Sequence, residues 1–256
     1  MMRVISLGWG VQSFALAAMS ALGELPPVDA AVHADTTHER TETYEFAAKW
    51  TPWLEERGVR VVTVNDGSTT VIDKWDGLML PVYTTYPDGR RSGMMRRQCT
   101  HDWKIAPIRR WLQADRCGSP VEMWIGITLD EWDRMRDSGV KYVRNHYPFI
   151  ESLDRPWTRG MAMRWLRENG LDIPAKSRCK WCPFQGLEDW RETKLAGGDD
   201  WAECVQVDRL IRHKKDNYVC YLHRSCQPLD QVDLRNQQDH GQLELWGEEC
   251  TGNCFL

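Results

Sequence analysis

Short apolar runs alternate along the chain with stretches whose apolar residues recur every three or four positions. Arg3 to Ser6 reads as a buried strand, and Val11 to Leu22 has the apolar spacing of a helix that stops at Gly23. AAVHAD, residues 30 to 35, predicts a second strand. Glu39 to Arg57 follows as a long amphipathic helix, interrupted or ended near Pro52 and stopped by Gly58. The β-branched run VRVVTV predicts a third strand over 59 to 64. A β-α-β-α-β order of this kind predicts an α/β fold with a doubly wound, Rossmann-like parallel sheet and right-handed crossovers.

The middle of the chain is less regular. LMLPVYTTYPDGRRSGMM reads as a hairpin or a mobile loop around Asp88-Gly89. A helix is expected from Lys104 to about Asp115, a strand over 121 to 127, and a helix from Trp157 to Asn169 capped by Gly170. Pro174 then opens a small cysteine-rich C-terminal segment. These changes divide the chain into an α/β domain, 1–174, and a segment, 175–256, expected to pack on the edge of the sheet where ligands bind.

With 256 residues, 42% hydrophobic and 27% charged, the chain can bury one substantial core plus an appendage. A net charge of −4 gives no overall attraction to nucleic acid or anionic membrane, so any anion must be held by a local patch. No apolar run reaches the ~18 residues of a membrane helix, and no signal-peptide layout opens the sequence. A cytoplasmic protein with no membrane partner is therefore expected. Nine cysteines in that setting favour metal binding or thiol chemistry over a disulfide framework.

The stretch S-L-G-W-G-V-Q-S, from Ser6 to Ser13, joins the first strand to the first helix. Such a junction presents backbone N–H groups and the positive end of a helix dipole at the carboxyl edge of a parallel sheet, where phosphate binds. It is neither a Walker loop nor a dinucleotide fingerprint, and a tight turn that only packs helix on strand would look the same.

Four further stretches give the turn a context. HADTTHERTETYEF resembles the segment D-T-G-x-x-x-x-E-T-Y-x-F of the phosphoadenosine phosphosulfate (PAPS) reductase family, and the first turn resembles that family's S-x-G-x-x-x-S loop. CTHDWKIAPIRRWL is similar to its cysteine, lysine and proline stretch, WIGITLDEWDRMR to its glycine, acidic pair and arginine stretch, and KSRCKWCPF supplies a C-x-x-C. The matches fall in order along nearly the whole chain. The resemblance implies an enzyme of sulfur metabolism with an adenine-nucleotide alpha-hydrolase (PP-loop) fold. PAPS, its unphosphorylated analogue APS, or ATP would be the nucleotide.

Carried over position by position, Ser6, Leu7, Gly8, Trp9, Gly10, Gln12 and Ser13 would surround the phosphate or sulfate, with the Trp9 ring covering the nucleotide. Asp35 and Thr36 would lie beside the adenosine, Gly126 would admit the nucleotide to the fourth strand, and Lys104 would contact its anionic end. Gln12 stands where ATP-cleaving relatives keep an aspartate. A glutamine cannot hold Mg²⁺ as a carboxylate does, which tilts the reading from Mg-ATP toward a sulfonucleotide.

Relatives with a [4Fe–4S] cluster use a cysteine pair and a later C-x-x-C. Here Cys99, Cys179 and Cys182 match, with Gln98 in place of a second vicinal cysteine. Cys250 or Cys254 would complete four thiolates, or the fourth iron would stay open. By spacing alone, the same thiols suit a structural Zn²⁺ equally. Glu249-Cys250 resembles the start of the reductases' mobile tail, making Cys250 or Cys254 the candidate nucleophile, although Thr251 and Gly252 depart from that tail.

Seven basic residues against one acidic give residues 90 to 110 a local charge of +6. Its arginines suit a 3′-phosphate, the backbone of a nucleic acid, or simply a solvated face. Three activities follow: a thiol-dependent sulfonucleotide reductase, reset by a thioredoxin-like reductant; an ATP-dependent sulfur transferase acting on tRNA or DNA, supplied by a cysteine desulfurase; or a nucleotide-binding module without chemistry. Most of the fourteen tryptophans, Trp50, Trp53, Trp132 and Trp157 among them, are expected in the core. Trp181, within the C-x-x-C, is expected to shield a cluster from water.

Overall fold

The computed structural model describes residues 1–67, 80–236 and 239. They form two compact units, one of Met1–Thr70 with Thr100–Arg178, the other of Val71–Cys99 with Cys179–Leu256. The hairpin region thus belongs with the C-terminal segment rather than with the α/β domain that precedes it in sequence.

In the first unit β1 (Met2–Ser6), α1 (Val11–Ala21), β2 (Ala30–Ala34), α2 (Thr41–Glu55) and β3 (Val61–Val64) follow the expected order. After them come α3 (Ala106–Asp115), β6 (Val121–Trp124), β7 (Val143–His146), a short α4 (Pro148–Glu151) and α5 (Arg159–Glu168). The sheet has the order β3-β2-β1-β6-β7 with every pair parallel, so the fold is doubly wound α/β. Register sorts the core into two layers. Val4 lies beside Ala30 and Met123, and this row packs with Leu112 of α3. Ile5 lies beside Ala31 and Trp124, and this row faces α1, α2 and α5 through Phe14, Leu54 and Leu166. Both faces are covered, as an all-parallel sheet requires.

Three boundaries differ from expectation. Pro52 lies inside α2 instead of ending it, since only one backbone donor is lost in the last turn and the Pro52 carbonyl still accepts from Glu56 N–H at 2.9 Å. The sixth strand stops at Trp124, where Ile127 N–H donates to the Ile125 carbonyl at 2.8 Å and turns the chain out of the sheet. The helix expected from Lys104 begins earlier, as a π-helical turn over His101–Ile105. Pro107 has no N–H for the Trp103 carbonyl, and the turn before it is wound wide.

In the second unit β4 (Tyr83–Thr85) and β5 (Arg91–Met94) make the hairpin expected around Asp88-Gly89, and β8 (Val219–Tyr221) completes an antiparallel sheet in the order β5-β4-β8. Gly89, at φ 85°, supplies the left-handed residue of the turn. Helices α6 (Leu187–Ala196) and α7 (Gly198–Ile211) belong to the same unit. No helix among the described residues is long and apolar enough to cross a membrane.

Asp208 organises this unit. Its side chain is buried and accepts from the backbone N–H groups of Leu222 and Leu229, both at 2.9 Å, while Arg212 pairs with it one turn along α7. Helix, strand and the following loop are thereby tied to one carboxylate. Asp208→Ala leaves two buried amides without their acceptor and removes the carboxylate that pairs with Arg212, and should cost about 3–5 kcal/mol. Urea unfolding checks this, and a loss below 1 kcal/mol would show that the carboxylate is dispensable.

Candidate functional site

In the first unit the sheet reverses its winding at β1, which has β2 on one side and β6 on the other. The carboxyl end of β1 is therefore a topological switch point, and the Ser6–Ser13 turn lies there. Leu7 N–H extends the ladder by donating to the Val32 carbonyl at 2.8 Å. The Leu7 carbonyl meets Nδ1 of buried His33 at 3.1 Å. Burial lowers the His33 pKa, so the ring is neutral at neutral pH, and the contact makes Nδ1 the protonated nitrogen.

The turn is held from within. Gly8 N–H donates to Ser13 Oγ at 3.1 Å, and that hydroxyl donates to the Gly10 carbonyl at 3.2 Å. Trp9 adopts φ 55°, a left-handed conformation that costs a non-glycine residue about 1–2 kcal/mol. Its indole offsets that strain by burial against Phe14, Phe46 and His33, with ring centroids 6.3 to 6.4 Å apart. Trp9 is only 2% exposed, so the ring expected over a nucleotide is part of the core instead. Leu7 is buried as well, and both residues offer the turn only their backbone.

Gly10 is the N-cap of α1 and has no side chain to satisfy the amides of the first helical turn. These donors are the groups an anion would engage. Gly126 sets how close β6 comes to them. A Cβ there would lie 2.9 Å from both Gln12 C and Ser13 N, which only hydrogen avoids.

At the end of β2 Asp35 is already engaged. Its Oδ1 accepts from Thr37 N–H at 2.7 Å and from the Tyr44 hydroxyl at 2.8 Å. Burial and the Asp35 carboxylate push the Tyr44 pKa up, keeping the phenol a donor. Thr37 sits at φ 62°, where the motif it resembles carries glycine. Thr36 is fully buried and donates to Glu39 Oε1 at 3.2 Å, and Lys104 Nζ reaches the same oxygen at 3.0 Å. Lys104 is therefore held by a buried carboxylate, with 38% of its side chain exposed. Sequence reasoning gave Glu39 no role and met Tyr44 only within the E-T-Y-x-F motif, because their contacts depend on the shape of the turn. His101, also near a motif, is exposed and pairs with Asp102.

Cys99, Cys179 and Cys182 lie in the second unit. Cys182 N–H closes the C-x-x-C turn onto the Cys179 carbonyl at 3.1 Å. Lys180 pairs with Asp200 at 3.2 Å and Glu203 at 2.7 Å, while Trp181 is buried and donates to Glu203 Oε1 at 3.2 Å. Burial works against the Lys180 charge, but Glu203 and Asp200 outweigh it and hold the pKa above its ordinary value. The buried thiol of Cys204, also on α7, donates to the Lys180 carbonyl at 3.2 Å. Among the described residues no group of three or more His, Cys, Asp or Glu side chains is placed to hold a metal ion. Cys99, Cys179 and Cys182 thus do not by themselves assemble the expected three-ligand set, and Cys250 and Cys254 lie outside the described residues.

Two measurements test the turn. Gly126→Ala forces backbone apart and should cost about 1–3 kcal/mol, lowering the melting temperature by about 3–10 °C; an unchanged melting temperature would show that β6 is free to move. Because the folded His33 pKa is lowered, the unfolded chain binds its proton more readily, and stability falls as pH drops below about 6.5. Unfolding at pH 7.5 and 5.5 should show that fall, reduced in His33→Gln; an equal fall in the variant would remove His33 as its source.

No protein-family model matches the chain, and no curated protein matches it. Among solved structures it is similar to the phosphoadenylyl-sulfate (PAPS) reductase from Candida auris in its phosphate complex, with a TM-score of 0.47 and 12% identity over 68% of this chain and 75% of that one.

Proposed function

We propose that the first unit binds an adenine nucleotide, with the anionic end at the Ser6–Ser13 turn, and that the chain is a PAPS reductase-like enzyme acting on a sulfonucleotide. The carrying observation is the open N-terminus of α1, held at the sheet's switch point by the approach of Gly126. Backbone N–H groups at Gly10, Val11 and Gln12 offer fixed dipoles to a sulfate or phosphate. Gln12 brings no negative charge to the site, which favours a nucleotide presented without a protein-held metal ion. Asp35, already fixed by Thr37 and Tyr44, accepts from the ribose or base side of the ligand through its remaining lone pairs.

The chemical step of this reading requires a thiolate. Cys250 or Cys254 attacks the sulfur of the sulfonucleotide; the bond from sulfur to the bridging oxygen breaks, the nucleotide leaves with that electron pair, and an S-sulfocysteine remains. A dithiol protein of the thioredoxin class then attacks the cysteine sulfur, releasing sulfite and closing as a disulfide.

The test is thermal unfolding of anaerobically purified protein with PAPS, APS, ATP plus Mg²⁺, or no ligand. A ligand at 100 times its dissociation constant adds about 2.7 kcal/mol, a rise of roughly 5–10 °C at this size. PAPS or APS should give that rise and release sulfite when a dithiol reductant is added. A rise with ATP alone would replace the reductase by a sulfur transferase, and no rise with any nucleotide would overturn the site itself.

A further inference from the structure

The hairpin of the second unit carries charge that the nucleotide reading does not use. Every residue of β5 is exposed, and within the described sheet this strand pairs only with β4. Arg90, Arg91, Arg96 and Arg97 all lie on the exposed part of the hairpin and its exit, against a single carboxylate, Asp88. That carboxylate is engaged by Arg90 at 2.8 Å. Arg91 Nη2 reaches the Ser225 carbonyl at 3.5 Å, which brings exposed Arg224 to the same surface.

Aromatic rings are interleaved with these cations. Tyr86, 38% exposed at the hairpin turn, has the Arg90 guanidinium 5.1 Å from its ring centroid and lies 5.6 Å from the ring of Tyr218. Arg97 sits 5.2 Å from the centroid of Phe184, a phenylalanine left 52% exposed. A solvated cationic face needs no exposed rings, and an apolar docking face would not surround its rings with arginines. Cations that track phosphates, alternating with rings that take unstacked bases, form the surface used for single-stranded nucleic acid.

We propose that this face of the second unit, built from the β4–β5 hairpin and its exit, Phe184 and the 223–226 loop, binds single-stranded nucleic acid. The guanidinium groups of Arg91, Arg96, Arg97 and Arg224 contact the phosphates, and Tyr86 and Phe184 stack on bases. The inference stands on the second unit alone and does not depend on which nucleotide the first unit holds.

Fluorescence anisotropy of the full chain with labelled 15-mers of oligo-dT and oligo-rU tests it. Four phosphate contacts give a salt slope of about −2.8, so affinity should fall about fifty-fold between 50 and 200 mM salt. Binding of either strand supports the proposal, and the tighter of the two assigns the sugar. Arg96→Glu, and the double variant Arg91→Glu/Arg96→Glu, should weaken binding at least tenfold and flatten the slope while melting at the wild-type temperature. Tyr86→Ala should weaken it about five- to tenfold with the slope unchanged, a pattern that loss of fold would not give. No binding of either strand at 50 mM salt overturns the proposal, as does equal affinity for a 15-base-pair duplex. Binding of phosphatidylserine vesicles in place of the strands also overturns it. Should the variants fail to fold, the wild-type slope and the duplex comparison decide the matter.

Discussion

The first unit depends on a contact in which a side chain is missing. Gly126 follows β6 at the point where the sheet reverses its winding, and the carbonyl carbon of Gln12 and the amide of Ser13 occupy the space a Cβ would need. Because hydrogen is all that fits, the first turn of α1 sits directly against the end of β6. Crossover helices pack onto a parallel sheet at a distance set by their side chains, so such an approach at one end orients the helix N-terminus over the strand ends. The two core layers then follow from strand register alone.

Strain and burial are coupled around that contact. Trp9 and Thr37 are both non-glycine residues at positive φ, and they follow adjacent strands. Trp9 is held there by an indole packed into the aromatic cluster of Phe14, Phe46 and Trp50. Thr37 is held by its amide on Asp35 and its hydroxyl on the Thr36 carbonyl. Outliers of this kind persist only where surrounding structure over-determines them. Here that structure is an aromatic core on one side and a carboxylate-centred turn on the other.

These two supports were unequally legible in the sequence. β1, β2 and the helix between them were readable because a strand buried on both faces is almost wholly apolar and the helix repeats at 3.6. Gly126 was expected, from the family resemblance, to admit a nucleotide to the fourth strand; the atoms close to it are the backbone of Gln12 and Ser13. The direction of the Trp9 side chain was not, since a positive φ turns a ring inward and no residue pattern encodes that angle. Trp132, expected in the core, is 65% exposed, because Leu129–Arg134 is a short 3-10 helix with no buried residue rather than part of an amphipathic helix. Asp208, in the stretch DRLIR, belongs to no motif, and its role appears only when the chain after β8 and the 229 loop bring their amides to it. The tail cysteines were legible as chemistry but lie outside the described residues.

The charge balance of the turn narrows what it can hold. Lys104, the lysine of the matched motif, shares an oxygen with Thr36 on Glu39, a carboxylate with no exposed surface. A buried anion of this kind is expensive to leave unpaired, so the lysine is committed to Glu39 before it serves any ligand. What the turn itself offers an anion is the helix terminus, about half an elementary charge, and the hydrogen bonds of its amides. Such a site selects by shape and donor direction more than by total charge. Under the proposed function it takes one tetrahedral group on the turn in preference to a triphosphate, whose several charges need a metal ion or free basic side chains to balance them. Gln12 supplies neither, so the same residue that departs from the ATP-cleaving pattern is consistent with the neutral pair formed by Lys104 and Glu39.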